Sequence, residues 1–128
     1  MASYLYFEEL PIWQEARELV KRIYDISKEN SELKKDFGLT NQIQKAAVSI
    51  ISNIAEGFER GSNKDFIRFL TIAKSSCGEL RSHLYVALDL KYIHQQKFKE
   101  LQTSCIKLSQ KISGFIRYLK NQNSSKDR

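Results

Sequence analysis

The sequence predicts an all-α protein, an antiparallel up-down-up-down four-helix bundle. Apolar residues recur with helical spacing in four separate segments, and short polar connections join those segments. The 128 residues include one proline and five glycines, too few for a β-sandwich or barrel, which needs a turn roughly every 8–12 residues. We expect a single bundle domain over residues 1–120 and a disordered basic tail over 121–128.

The first helix is predicted at about residues 11–29. Pro11 suits the first helical turn, where its missing N–H costs nothing. The apolar seam has spacings of 4-3-4-3 and consists of Ile12, Ala16, Leu19, Ile23 and Ile26. The polar residues 30–36 that follow are expected to be a connection.

The second and third helices are predicted at about 37–57 and 63–90. The second has a wide apolar face, and Gly57 or Gly61 can end it in the left-handed conformation. Ser62 is a suitable N-cap for the third helix. The seam of the third helix is Phe66, Leu70, Ala73, Cys77, Leu80, Leu84 and Ala87.

The fourth helix, predicted at about 95–120, has the most regular seam. Its spacings are 3-4-3-4-3-4 without interruption. The seam residues are Phe98, Leu101, Cys105, Leu108, Ile112, Phe115 and Leu119. Seams of this kind predict left-handed packing at about +20°.

The positive charge is concentrated in the last third of the chain. The net charge is +6, and residues 93–128 carry eight Lys/Arg and two Asp/Glu. Such an excess predicts a polyanionic partner, although a solvated lysine-rich helix face is an equally good explanation. The residues predicted to contact nucleic-acid phosphates are Arg60, Lys64, Arg68, Lys107, Lys111, Arg117 and Lys120.

Polar side chains interrupt the apolar face of the second helix. Asn53 and Glu56 lie three residues apart and share a helix face. They fit either a ligand site or a structural polar cluster, with Glu79 included, that fixes helix register. The structural interpretation is favoured, with Arg60, Arg81 or a serine of the third helix as partners.

The sequence contains no recognisable catalytic or metal-binding pattern. Glu79 and His83 are four residues apart, and the Glu-x-x-His pair of di-iron bundles does not occur. Cys77 and Cys105 have no Cys-x-x-Cys spacing, so reduced buried thiols are expected, with a disulfide as the minor alternative. We therefore expect a protein that is not an enzyme and has no cofactor. With no secretory pattern and no membrane-span-length apolar run, we expect it in the cytoplasm.

Three stretches of the chain resemble a known family. They are residues 7–16 (FEELPIWQEA), 49–60 (SIISNIAEGFER) and 66–73 (FIRFLTIA). The sequence is similar over roughly residues 5–120 to the 23S rRNA intervening-sequence proteins, a family of four-helix bundle proteins. Two departures are Gln44-Lys45, where the family usually has a basic pair, and Ser75-Ser76, where it often has Gly-Ser.

The resemblance implies a small, non-enzymatic bacterial protein that assembles as a homopentamer. Relatives in diversity-generating retroelements are accessory proteins that bind nucleic acid and a reverse transcriptase. The leading hypothesis is therefore a basic homo-oligomer that binds RNA or DNA phosphates; the alternative is a protein-interaction scaffold or an accessory subunit of a reverse transcriptase. Four apolar residues outside the main seams also suggest self-association: Trp13, Val20, Ile106 and Ile116.

Overall fold

The computed structural model describes residues 3–126, with side chains for residues 3–122. This part of the chain is helical and contains no strand. A short 3-10 helix at Phe7–Glu9 precedes five α-helices. The helices are α1 (Pro11–Glu29), α2 (Ser31–Lys35), α3 (Phe37–Glu59), α4 (Asn63–Asp89) and α5 (Gln95–Lys126).

Helix α2 corrects the expectation that residues 30–36 are only a connection. The side-chain oxygen of Asn30 accepts a hydrogen bond from the backbone N–H of Leu33 at 3.0 Å, which caps the helix. Leu33 is completely buried and anchors this turn to the core. One apolar residue in five shows no periodicity, so the sequence pattern did not reveal the helix.

Helix α3 extends two residues beyond its predicted end at 57. Asp36 caps its first turn by accepting the N–H of Leu39 at 3.1 Å. Gly57 lies inside the helix, whereas Gly61 has φ of +85° and reverses the chain. Ser62 then caps α4 by accepting the N–H of Asp65 at 3.2 Å, as the sequence predicts.

Helix α5 continues to Lys126, six residues beyond its predicted end at about residue 120. No glycine or proline follows Gly114, so no residue type in this region forces the helix to end. The Gln122 side chain donates to the Tyr118 hydroxyl at 2.7 Å, which ties the added turn to the helix. The last two residues of the predicted tail, 127 and 128, lie outside the described residues.

The helices pack around a core that follows the predicted seams. Helix α3 packs most extensively against α4, α4 packs against α5, and α1 contacts both α3 and α5. The α1–α5 contact is the smallest of the four. Twelve large side chains are almost completely inaccessible to solvent: Leu10, Ile23, Leu33, Ile43, Ile50, Ile54, Leu70, Leu80, Leu84, Leu101, Leu108 and Ile112.

Candidate nucleic-acid interface

Two of the predicted cations lie over one aromatic ring at the α3–α4 turn. The guanidinium carbons of Arg60 and Arg68 are 4.9 and 4.6 Å from the centroid of the Phe69 ring. Both distances lie within the range of a cation–π contact. Arg60 also pairs with Glu56 at 3.6 Å, and Arg68 pairs with Asp65 at 3.4 Å. The ring and the carboxylates together restrain both arginines.

The charge of this turn is nevertheless balanced. Lys64 is exposed beside the two arginines. Three cations and three carboxylates occupy residues 56–68: Arg60, Lys64 and Arg68, with Glu56, Glu59 and Asp65. A phosphate here meets no net positive charge, so this turn is the weaker part of the predicted interface.

The second group of predicted cations lies on α5, where the charge is not balanced. Residues 95–120 carry six Lys/Arg and a single acid, Glu100. Lys107, Arg117 and Lys120 are exposed and form no ion pair with any residue that the structure describes. Lys107 and Lys120 are thirteen positions apart, which is about 20 Å along a helix. We call Lys107, Arg117 and Lys120 the α5 cations.

Lys111 differs from the α5 cations because it already has a partner. Its Nζ donates to Glu15 Oε1 of α1 at 2.8 Å. The second oxygen of Glu15 is buried and accepts no hydrogen bond from the described residues. Lys111 thus links α5 to α1, and a phosphate can bind it only by competing with a carboxylate.

A groove separates α1 from α5 next to this ion pair. Its volume is about 480 Å³, and its apolar floor includes Leu19 and Leu108. Glu15 and Glu18 face Lys107 and Lys111 across it. At its edge Arg22 donates to Ser104 Oγ at 2.7 Å. Because the two walls carry opposite charges, the groove itself is not an anion site.

The two groups of cations meet at one end of the helical bundle. The Asn63 amide donates to Gln122 Oε1 at 3.4 Å, so the start of α4 lies beside the last turns of α5. Arg117 and Lys120 are therefore at the same end as the α3–α4 turn, while Lys107 is farther along α5. The structure therefore brings some of the predicted cations together at one end of the bundle, but the whole set does not share one face.

The predicted polar residues of α3 are divided between two groups, because Glu56 pairs with Arg60, one of the expected partners, whereas Asn53 bonds elsewhere. Asn53 Nδ2 donates to the Ser49 carbonyl at 2.7 Å and to Ser49 Oγ at 3.1 Å. Ser49 Oγ is 2.8 Å from Ser76 Oγ of α4, so the serines link the two helices. This cluster includes a serine of α4, as considered above, but it does not include Glu56 or Glu79. Both glutamates are exposed, because they lie on the solvent side of their helices.

The sequence prediction named a serine of the third helix as a possible partner without identifying Ser76, although a signal was present. Ser76 is 8% exposed and lies between Ala73 and Leu80, at a spacing that belongs to the apolar face of α4. A hydroxyl at such a position needs a partner. Its location on the buried face could have identified it as the partner of the α3 polar group.

Gly57 lies inside α3 at a point where α3 and α4 approach each other closely. A Cβ at this position would lie 2.7 Å from Phe69 Cβ and 3.3 Å from the Phe66 carbonyl oxygen. Real Cβ atoms do not approach other atoms that closely, so only glycine allows this helix contact.

Neither a metal-ligand cluster nor an exposed thiol occurs among the described residues. They contain no group of three His, Cys, Asp or Glu side chains placed to hold a metal ion. Cys77 and Cys105 are free and buried, and burial raises the pKa of each thiol to about 12. Thiols with so high a pKa are poor nucleophiles at neutral pH. Among residues 3–126 we also find no helix with the length and hydropathy needed to cross a bilayer.

Comparison with known proteins decides the family. The family model described as "23S rRNA-intervening sequence protein" matches residues 8–114. The chain belongs to this family. The matched range includes Gly57 and the close approach of α3 and α4. Two of the α5 cations, Arg117 and Lys120, lie beyond its end at residue 114.

A solved structure has a similar fold. It is a protein of unknown function from the S23 ribosomal protein family of Bacteroides thetaiotaomicron. The TM-score is 0.77 and the sequences are 24% identical, over 82% of this chain and 97% of the other. At that identity the likeness shows the fold alone. No curated protein matches the chain.

Proposed function

We propose that this family member is a non-enzymatic protein that binds RNA or DNA through phosphate contacts. The observation that carries the proposal is the exposure of the three α5 cations, none of which forms an ion pair with a described residue. Unpaired cations bind phosphate without first losing an ion pair, and they release the counterions that drive binding. The function requires access to nucleic acid, so we expect the protein in the cytoplasm.

We propose further that the helices form an up-down-up-down four-helix bundle that self-associates. The packing of each long helix against its chain neighbour, and of α1 against α5, supports this topology. Trp13, Val20 and Ile116 pack against the core of the single chain, so they support self-association less than the sequence suggested. The stronger support is the exposure of other apolar side chains on α3 and α4: Val48, Ile72, Tyr85 and Val86.

Self-association joins the cations of several chains into one larger surface. The family resemblance implies five subunits, and sedimentation equilibrium at micromolar concentration measures the number directly. A monomer at that concentration contradicts this part of the proposal. In that case the binding surface consists only of the α5 cations of a single chain.

The location of the binding surface is tested by two charge-matched variants. The first carries Lys107→Gln and Lys120→Gln. The control carries Lys21→Gln and Lys97→Gln, which remove two lysines that pair with Asp25 at 3.2 Å and Glu100 at 3.5 Å. Both variants lower the net charge by two. In fluorescence anisotropy with a labelled single-stranded RNA, we expect the first variant to lose affinity and the control to change little.

The salt dependence gives a second readout of the same variants. Each phosphate contact contributes about −0.7 to the slope of log K against log salt for single strands. Loss of two contacts per chain therefore makes the slope less negative by about 1.4. Equal slopes for the two variants would show that net charge, and not the α5 cations, attracts the nucleic acid.

A second candidate function is a protein-interaction scaffold, for example an accessory subunit of a reverse transcriptase. The exposed apolar residues Ile72, Tyr85 and Val86 on α4 favour it, because such residues are common at protein interfaces. The two functions differ in one result. A scaffold does not bind RNA at low salt, and its surface residues of α4 remain accessible until a partner protein is added.

A further inference from the structure

An aromatic pocket lies at the end of the bundle near the α3–α4 turn. The cavity has a volume of about 400 Å³. Five rings line it, from the N-terminal segment, α3, α4 and α5: Tyr4, Phe58, Phe66, Phe115 and Tyr118. We call these five residues the aromatic pocket.

The rings form a continuous wall. The Phe66 and Phe115 centroids are 5.4 Å apart, and those of Phe115 and Tyr118 are 5.7 Å apart. Phe58 and Tyr4 extend the wall on its two sides, at 6.0 Å from Phe66 and 6.5 Å from Phe115. Four of the five rings are only partly buried, so the wall is open to a ligand.

Hydrogen-bond donors lie beside the rings. The Tyr118 hydroxyl oxygen accepts from Gln122 Nε2 at 2.7 Å, which leaves the phenol hydrogen to donate. The Ser62 hydroxyl, which accepts from the Asp65 N–H, keeps its hydrogen in the same way. A flat ligand with acceptor atoms on its edge can therefore stack on the rings and bind these donors.

The surroundings of the pocket favour a negatively charged ligand backbone. Four cations each adjoin a lining residue in the chain: Arg60, Lys64, Arg117 and Lys120. Three acids do the same, Glu9, Glu59 and Asp65. The net excess of one positive charge favours a nucleotide over an uncharged aromatic side chain of a protein.

From these observations we propose that the aromatic pocket binds one unpaired nucleobase of single-stranded RNA or DNA, while the neighbouring cations hold the adjoining phosphates. Stacking on aromatic side chains is the usual way in which proteins bind single-stranded bases. The volume lies in the range of small-molecule sites. This inference rests on the proposed function and adds a preference for single strands over duplex.

Two probes separate the pocket from the phosphate contacts. Adenosine has a base but no phosphate, and an abasic oligonucleotide has phosphates but no bases. With aromatic side chains labelled for NMR, we expect millimolar adenosine to shift the ring resonances of Phe115 and Tyr118. We expect the abasic strand to bind about tenfold more weakly than the normal strand, with the same salt slope.

The variant Tyr118→Leu removes one ring and keeps an apolar side chain. We expect it to reduce both the adenosine shifts and the advantage of the normal strand over the abasic strand. Tyr118→Phe, which retains the ring, restores stacking and shows that any loss is not a folding defect. The comparison of the two strands needs no variant at all, so the test does not depend on either one folding.

The adenosine and abasic-strand experiments separate failure of the pocket from failure of the phosphate contacts. If adenosine shifts no ring and the two strands bind equally, the pocket is not a base site and the phosphate function stands. If N-acetyltryptophanamide shifts the rings and adenosine does not, the pocket takes a protein side chain and the inference is overturned. If adenosine binds but the abasic strand fails to bind at low salt, the pocket stands and the phosphate function fails.

Discussion

Substitution of Gly57 by alanine should destabilise the protein, although alanine is normally the better helix residue. The new Cβ would lie 2.7 Å from Phe69 Cβ, 3.0 Å from Phe66 Cδ1 and 3.3 Å from the Phe66 carbonyl oxygen. Two of these atoms belong to the backbone or are bonded to it, so α3 and α4 must move apart. Overpacking of this kind costs about 1–3 kcal/mol, and we expect the upper part of that range.

Gly78 provides the matched control. It lies in the interior of α4, is exposed, and has no atom within 4 Å of an added Cβ. Alanine gains about 1 kcal/mol over glycine in a helix interior. Gly78→Ala should therefore stabilise by about 1 kcal/mol. Gly57→Ala should lose about 2 kcal/mol, since a clash of about 3 kcal/mol outweighs the same gain.

Urea unfolding followed by circular dichroism measures both variants. Their free energies of unfolding should differ by about 3 kcal/mol. Each kcal/mol corresponds to roughly 3–5 °C in the melting temperature for a chain of this size. If Gly57→Ala is as stable as Gly78→Ala, the helices do not approach as closely as described, and the explanation of the glycine is wrong.

Three further predictions concern the core, a cap and the thiols. Leu80→Ala should cost about 3–5 kcal/mol in urea unfolding, because Leu80 is completely buried; a loss below about 1 kcal/mol would contradict its core position. Asn30→Ala should cost about 1–2 kcal/mol, because Asn30 caps α2 and donates to the Tyr92 carbonyl; Asn30→Asp keeps the cap oxygen and should lose less. Burial raises the pKa of the Cys77 and Cys105 thiols to about 12, so both should resist thiol reagents at pH 8 until denaturant is added. Because those thiols ionise more easily in the unfolded chain, stability should fall as the pH rises from about 9 toward 12. Urea titrations at several pH values should show a flatter dependence for the variant with Cys77→Ala and Cys105→Ala.

The regular part of the fold was accessible from the sequence. Seams with 3-4 spacing identified the four long helices, and Leu80 and Leu108 are buried as those seams predict. The Ser62 cap was also predictable, because a capping side chain acts on its own next turn. These features depend on the spacing of apolar residues and on capping residues within a few positions of each other, both of which can be read from the sequence.

Features that depend on contacts between helices were not accessible. Gly57 looked like a helix end, and only the position of Phe69 across the interface shows why it lies inside α3. Asn53 bonds to Ser49 within α3, but the link from Ser49 to Ser76 requires the packing of α3 against α4. The periodicity of one helix contains no information about the distance to the next.

The candidate site shows the same division. Composition pointed to the cations of the last third, yet it could not tell that Lys111 is paired with Glu15 while Lys107 is not. Nor could it show that Phe115, a regular seam position, is half-buried beside Tyr118 in an open pocket. Both facts depend on contacts between helices, which the composition and the periodicity of one helix do not contain.

The proposed phosphate-binding function depends on the unpaired cations of α5. Its most direct test is the affinity of the unmodified protein for a labelled single-stranded RNA, measured by fluorescence anisotropy at several salt concentrations from about 50 mM upward. We expect measurable binding at the lowest salt and a linear loss of log affinity with log salt. With three α5 cations engaged in each chain, the slope should be about −2 per chain. Absence of binding at about 50 mM salt, or an affinity that does not change with salt, would contradict it.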